Sequence, residues 1–256
     1  MSGIVALVAG GAPDIAFRIG VAMTLLQLGI GTTNDVVDAP RDAGQKAGKP
    51  IPDGLVQARS ATAVAVACFG AGLVLATAIR LETGILALIV IAIGLAYDLR
   101  VKGTAWSWVP FAVGIPILPV FGWIGATGRL DPIFAVLLPT AVAAGAGLAI
   151  GNALVDVERD RAAGISSIAV ALGSRRATVV AVGLFAVVWV LAWSSALRSG
   201  VGWIQAAAVA AVGLVPIVAA IAASSATSSR RERLWQAEAV GLAILAGVWL
   251  TAVARA

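Results

Sequence analysis

Asn34, Asp35, Asp38 and Asp42 put an amide and three carboxylates into nine residues of a chain in which only 12% of residues are charged. Asn34, Asp38 and Asp42 are spaced four apart, so on a helix their side chains share one face, while Asp35 lies about 100° round from Asn34 and three residues from Asp38. The same N-x3-D-x3-D spacing returns at Asn152, Asp156 and Asp160. The flanks agree as well, with Val37 and Val155 before the middle aspartate and Arg41 and Arg159 before the last.

Carboxylates in apolar surroundings stay ionised only with partners, and clustered acids cannot all pair with one another. Hard divalent cations resolve this, because Mg²⁺ takes oxygen ligands and is usually shared between one or two carboxylates and the phosphates of a substrate. Two Asp-rich helix ends facing each other would suit two metal ions bridging a diphosphate. Lys46, Lys49, Lys102 and Arg159 or Arg161 are then placed to neutralise the remaining phosphate charge. A plainer account, polar helix ends in solvent, suits one such segment better than two matched ones. The sequence contains no histidine, which excludes a Ser-His-Asp triad and His-ligated zinc. Its one cysteine, Cys68, excludes a disulfide scaffold and is read as a packing residue.

The elements that must position these groups are membrane spans. Hydrophobic residues make up 60% of the chain, and the charge-free runs 61–79, 103–128, 132–155, 177–197 and 199–229 each reach the ~18 residues that mark a spanning helix. Shorter runs at 19–34, 83–97 and 239–254 qualify once flanking side chains snorkel. The expected fold is all-α and polytopic, with about nine transmembrane helices around a central cavity. Residues 1–11 supply only part of the first helix and lack the basic stretch of a signal peptide. The second helix is expected over about 16–38, the third over 60–79, the fourth over 84–97 and the fifth over 105–126. The last four are expected over about 132–155, 177–197, 201–224 and 235–253. Pro110, Pro116 and Pro119 predict a kinked or broken fifth helix. Loops after the even-numbered helices carry thirteen of the eighteen basic residues, so the positive-inside rule puts both acid-rich segments on the cytoplasmic face. The net charge of +5 is accordingly read as topology and attraction to anionic lipid, not nucleic-acid binding. The recurrence of one motif on two helices of the same direction predicts two parallel pseudo-repeats, about 1–104 and 105–256.

These residues resemble the UbiA-type intramembrane prenyltransferases. The family's first signature, NDxxDxxxD with a basic pair and R-P-x-x-x-G, is similar to Asn34–Asp42 followed by Lys46, Lys49-Pro50 and Gly54. Its second, D-x-E-x-D-R-x-x-G, is similar to Asp156 through Gly164, and Tyr97 through Lys102 resembles the Tyr…Lys stretch that ends the family's fourth helix. The resemblance covers nearly the whole chain. It implies nine transmembrane helices around a cavity under a cytoplasmic cap, with Asn34, Asp35, Asp38, Asp42, Asp156 and Asp160 holding Mg²⁺. It further implies diphosphate contacts from Lys46, Lys49 and Lys102, with Tyr97, Asn152, Arg159 and Arg161 as further substrate-binding candidates. Three features depart from the pattern: lysines at 46 and 49 where arginines are usual, Pro40 inside the first signature, and a first helix short by about half.

The implied chemistry needs no nucleophilic side chain. A prenyl diphosphate ionises to an allylic carbocation as metal ions and cations take up the charge of the leaving group, and an acceptor then attacks. A dry interior strengthens those electrostatic terms. Trp106, Trp108, Phe111, Phe121 and Trp123 are either π faces for the cation or interfacial and lipid-facing packing. The expected partners are a prenyl diphosphate, a hydrophobic or aromatic acceptor and the bilayer. A terpene cyclase would begin with the same ionisation. A transporter would more often place its acids at the bilayer midplane, and a membrane alcohol phosphotransferase would keep its aspartates in one contiguous helix pair.

Overall fold

The structure, a computed structural model, describes residues 1–44 and 48–254. Within them the chain forms eleven α-helices and no strand: α1 (Ser2–Val8), α2 (Pro13–Asp42), α3 (Ala58–Ile79), α4 (Leu81–Ala96), α5 (Val109–Thr127), α6 (Phe134–Val155), α7 (Val157–Ala162), α8 (Ile168–Leu172), α9 (Ser174–Arg198), α10 (Trp203–Ala223) and α11 (Ser228–Val253). Eight are long and apolar enough to cross a bilayer, α4 being extended by a π-helical turn over Tyr97–Val101. They match the second to ninth expected spans, and α1, at seven residues, stands where the partial first helix was expected. The fifth span is assigned as a single helix, with Pro110 in its first turn and Pro116 and Pro119 inside it. Of the two expected outcomes, a kink or a break, the break is absent.

The chain divides into two compact units, Met1–Arg100 with Ile117–Arg129, and Val101–Pro116 with Leu130–Ala256. In the first, α2 packs along α3 and α3 along α4, with α1 against α2. Ile19, Leu26 and Phe121 are fully buried in its core, among small residues such as Ala22, Ala76 and Ala87. In a bilayer, helix association draws on close van der Waals contact, which small residues permit. Gly29 shows this: a Cβ there would stand 2.6 Å from the Phe69 ring. Phe121 has no exposed surface and Trp123 is 7% exposed, so both are packing residues, neither lipid-facing nor open to a cation. Trp106, by contrast, is largely exposed.

In the second unit α6 packs on α9, α9 on α10, α10 on α11, and α11 back on α6. Here too glycines receive large side chains: a Cβ at Gly147 would meet the Phe185 ring at 2.6 Å, and one at Gly213 would meet Trp189 at the same distance. Large apolar side chains such as Phe17, Val66, Val74, Val179 and Trp203 remain exposed, as befits helices whose outer faces meet lipid.

Candidate active site

The first acid-rich segment lies at the end of α2, which continues without interruption to Asp42. Pro40 removes one backbone bond, to the Val36 carbonyl, without ending the helix. Asp38 and Asp42 are therefore one turn apart on a single helix, and both are buried, at 9% and 7% exposure. Lys49, from the following loop, folds back onto them: its Nζ donates to Asp35 Oδ1 at 2.7 Å and lies 3.8 Å from Asp42 Oδ2. The Asp35 hydrogen bond holds the Lys49 ammonium above the ordinary lysine pKa. The cation thus stays charged at neutral pH, and its contribution is lost only as pH rises past that elevated value. Asn34 donates from Nδ2 to Asp98 Oδ1 at 2.7 Å, which commits the amide nitrogen and leaves the carbonyl oxygen as the atom able to bind a cation. Tyr97 is half-buried at the start of the π-helical turn, and Lys102 is half-buried just after it. Lys46 lies outside the described residues.

The second segment is built differently. α6 ends at Val155, Asp156 leaves helical geometry with φ −103° and ψ 7°, and α7 starts at Val157. Asn152 thus lies on α6 and Asp160 on α7, with Asp156 between them, and α6 ends where the sixth span was expected to end. Asp156 pairs with Arg159 on the next turn. Asp160 is fixed through its backbone: Ile165 N–H donates to the Asp160 carbonyl at 2.8 Å and Gly164 N–H to that of Arg161 at 3.3 Å. This pair of bonds closes a helix around a residue in left-handed conformation, which Gly164 supplies with φ +70°. The glycine that ends the second signature therefore has a stated task, to turn the chain directly after Asp160. Arg161 is exposed on α7 and Asn152 half-buried one turn before Asp156.

Three residues outside the expected set belong to these surroundings. Asp98 is 5% exposed and holds Asn34. Glu158, between the two aspartates, receives Arg231 Nη1 at 2.7 and 2.8 Å, and that hydrogen bond keeps its pKa below the usual glutamate value. Glu238, on α11, is 2% exposed, and its Oε2 has no hydrogen-bond partner among the described residues. An acid inside an apolar run is a signal a sequence carries, since intramembrane acids are costly and tend to be functional. The charge-free run 239–254 begins directly after Glu238.

Among the described residues no three acids, cysteines or histidines converge as a metal cage. The donors are all hard oxygens, and Asp35, Asp42 and Asp156 each already hold a cationic side chain. Taken separately, the oxygens of either segment suit a hard cation whose remaining ligands come from phosphate and water.

The profile of the UbiA prenyltransferase family matches residues 1–254. The chain belongs to that family. A digeranylgeranylglyceryl phosphate synthase from Methanopyrus kandleri is 35% identical over 187 residues, covering 70% of this chain and 67% of the relative. The chloroplastic chlorophyll synthase of Oryza sativa subsp. japonica is 32% identical over 164 residues, 59% of this chain and 43% of the relative. Among solved structures, a UbiA homologue from Archaeoglobus fulgidus bound to DMAPP and Mg²⁺ superposes with a TM-score of 0.69 at 18% identity, covering 96% of this chain and 94% of its own. The polytopic all-helical fold is therefore that of the UbiA family, and the chain is a prenyltransferase of the membrane.

Proposed function

We propose that this enzyme transfers a prenyl group from a polyprenyl diphosphate to a hydrophobic-pathway acceptor in a Mg²⁺-dependent reaction, with both acid-rich segments acting on one diphosphate. The observation that carries this is the cluster at the end of α2, where Lys49 bridges Asp35 and Asp42 beside the buried Asp38. An ammonium held between carboxylates is a built site for mixed charge: the acids attract cations, and the lysine attracts the phosphate those cations bring. Asn34, Asp35, Asp38, Asp42, Asp156 and Asp160 would hold Mg²⁺. Held there, Mg²⁺ would supply positive charge for a diphosphate leaving group. Lys46, Lys49, Lys102, Arg159 and Arg161 would neutralise the rest of the diphosphate charge, with Tyr97 and Asn152 orienting the substrate.

The A. fulgidus homologue holds DMAPP and Mg²⁺, which supports the donor class and the metal. The two named relatives are a digeranylgeranylglyceryl phosphate synthase and a chlorophyll synthase, so the acceptor is taken to be a lipid-pathway or aromatic nucleophile. The excess of basic residues in the loops bearing both segments supports a cytoplasmic location for them. The matched signatures support an origin as two pseudo-repeats, about 1–104 and 105–256.

The test offers the purified enzyme a panel of prenyl diphosphates and acceptors with Mg²⁺ and reads products by mass. Acceptor-dependent prenylated products, lost on chelation, are expected. Diphosphate release yielding a cyclised hydrocarbon without any acceptor would replace transfer by terpene cyclisation.

A further inference from the structure

The first half of α11 carries Arg231, Trp235 and Glu238, at spacings of four and three that place them on one helical face. All three meet α6. Trp235 Nε1 donates to the Leu148 carbonyl at 3.0 Å. Glu238 lies against Gly151, where an added Cβ would stand 2.6 Å from Oε2. Arg231 Nη1 donates to the Leu154 carbonyl at 3.3 Å, and its Nε donates to the Ala223 carbonyl at the same distance. The same Nη1 reaches both carboxylate oxygens of Glu158. In this way α11 grips α6 on either side of Asn152 and continues beyond it to α7.

These contacts lie on both sides of the break in the second acid-rich segment. In an unbroken helix the Leu154 carbonyl would accept the Glu158 N–H. Here it accepts Arg231 instead, and the Glu158 side chain turns to the same guanidinium. α7 has six residues, too few to hold a helical direction alone. Its direction is set from outside, by Gly164 at one end and Arg231 at the other.

We propose that Arg231 is a positioning residue for the metal and diphosphate chemistry: Asp156 and Asp160 are joined by the Asp160 N–H to Asp156 carbonyl bond at 2.8 Å, and by holding Leu154 and Glu158 Arg231 sets how that unit is oriented on α6. The proposal rests on the Mg²⁺-diphosphate reading of the site. Groups behind metal ligands commonly change metal affinity about 10- to 100-fold when removed. Arg231 stands in that relation to Asp156 and Asp160, through a glutamate that lies between them in the chain.

The test is Mn²⁺ titration of the full chain in nanodiscs with inorganic pyrophosphate, followed by EPR, beside thermal unfolding and the Mg²⁺ dependence of turnover. Arg231→Ala is expected to weaken Mn²⁺ binding about tenfold and to raise the Mg²⁺ concentration for half-maximal rate in step. Arg231→Lys, which keeps the charge but cannot span Leu154, Ala223 and Glu158 together, should fall between. Glu158→Gln should also weaken binding, and adding it to Arg231→Ala should cost little more, because both act through one contact. Glu158 is exposed, so Glu158→Gln decides the matter if Arg231→Ala does not fold. Mn²⁺ affinity unchanged in Glu158→Gln, or a lowered unfolding temperature with unchanged affinity in Arg231→Ala, overturns the positioning role. Wild-type protein that binds no Mn²⁺ with pyrophosphate overturns the underlying metal reading instead, and this role with it.

Discussion

The two acid-rich segments share one spacing and two different backbones. At Asn34–Asp42 the helix runs straight through a proline. At Asn152–Asp160, which contains no proline or glycine, it stops. Asp38 and Asp42 owe their relative position to α2 alone, and the cation that balances them, Lys49, comes from the loop beyond. Asp156 and Asp160 are joined by one backbone bond at the start of a six-residue helix whose seating on α6 depends on Arg231, while the balancing Arg159 is three residues from Asp156. Equal spacing therefore specifies which groups are present but not how rigidly they are held. That is decided by whether a neighbouring helix competes for the backbone.

The strongest way to break this comparison is to remove one acid from each segment. If both serve one diphosphate, Asp38→Ala and Asp156→Ala should each lower Mg²⁺-dependent diphosphate release from an allylic donor at least about 100-fold, the scale of losing one preorganised electrostatic contact. The double variant should be scarcely worse than either single one, since groups acting as a unit are not additive. Full activity in either single variant would leave only one segment in the chemistry.

A smaller effect is expected at Lys49, and it sharpens the difference in charge balance. Lys49→Ala leaves Asp35 and Asp42 without their bridging cation and should raise KM for the prenyl diphosphate about tenfold, as loss of a charge-assisted contact would. Lys49→Arg keeps the charge and should recover most of the affinity. An unchanged KM in Lys49→Ala would mean that the lysine serves the fold of the loop and not the substrate.

Much of this was legible in the chain because membrane helices are written in composition. Long charge-free runs need no tertiary information to be recognised, so all eight spans are found, although the charged first turns of α11 put its start at Ser228 where about 235 was expected. The identity of the acids was equally legible, because a motif repeated among so few charges stands out. The end of the sixth span at residue 155 was legible, but the partner of the residues beyond it was not, because Arg231 lies far along the chain. No local pattern in Asn152–Asp160 reports that the Leu154 carbonyl has another donor. Phe121 was hidden for a related reason: an aromatic residue in an apolar span reads the same whether it faces lipid, substrate or core, and only packing shows that it is core. Glu238 was readable in principle, as an acid within a span, but its setting against Gly151 belongs to the pairing of α6 with α11.

The smallest predicted effect separates the two segments at their ends, where each passes into a glycine with positive φ: Gly44 at +73° after α2 and Gly164 at +70° after α7. An alanine at either position adopts the left-handed conformation at a cost of about 1 kcal/mol, and a Cβ has open space at both. The stability losses should therefore be similar in thermal unfolding. Function should part them. Gly164 closes the bonds that hold the Asp160 and Arg161 carbonyls, so Gly164→Ala should also raise the Mg²⁺ requirement, by about fivefold if the backbone cost falls on the metal-competent geometry. Asp42 is already placed by the unbroken α2, so Gly44→Ala should leave that requirement unchanged. Equal shifts in both variants would show that the first segment depends on its exit turn as much as the second does, and the contrast between a self-held and an externally held motif would fail.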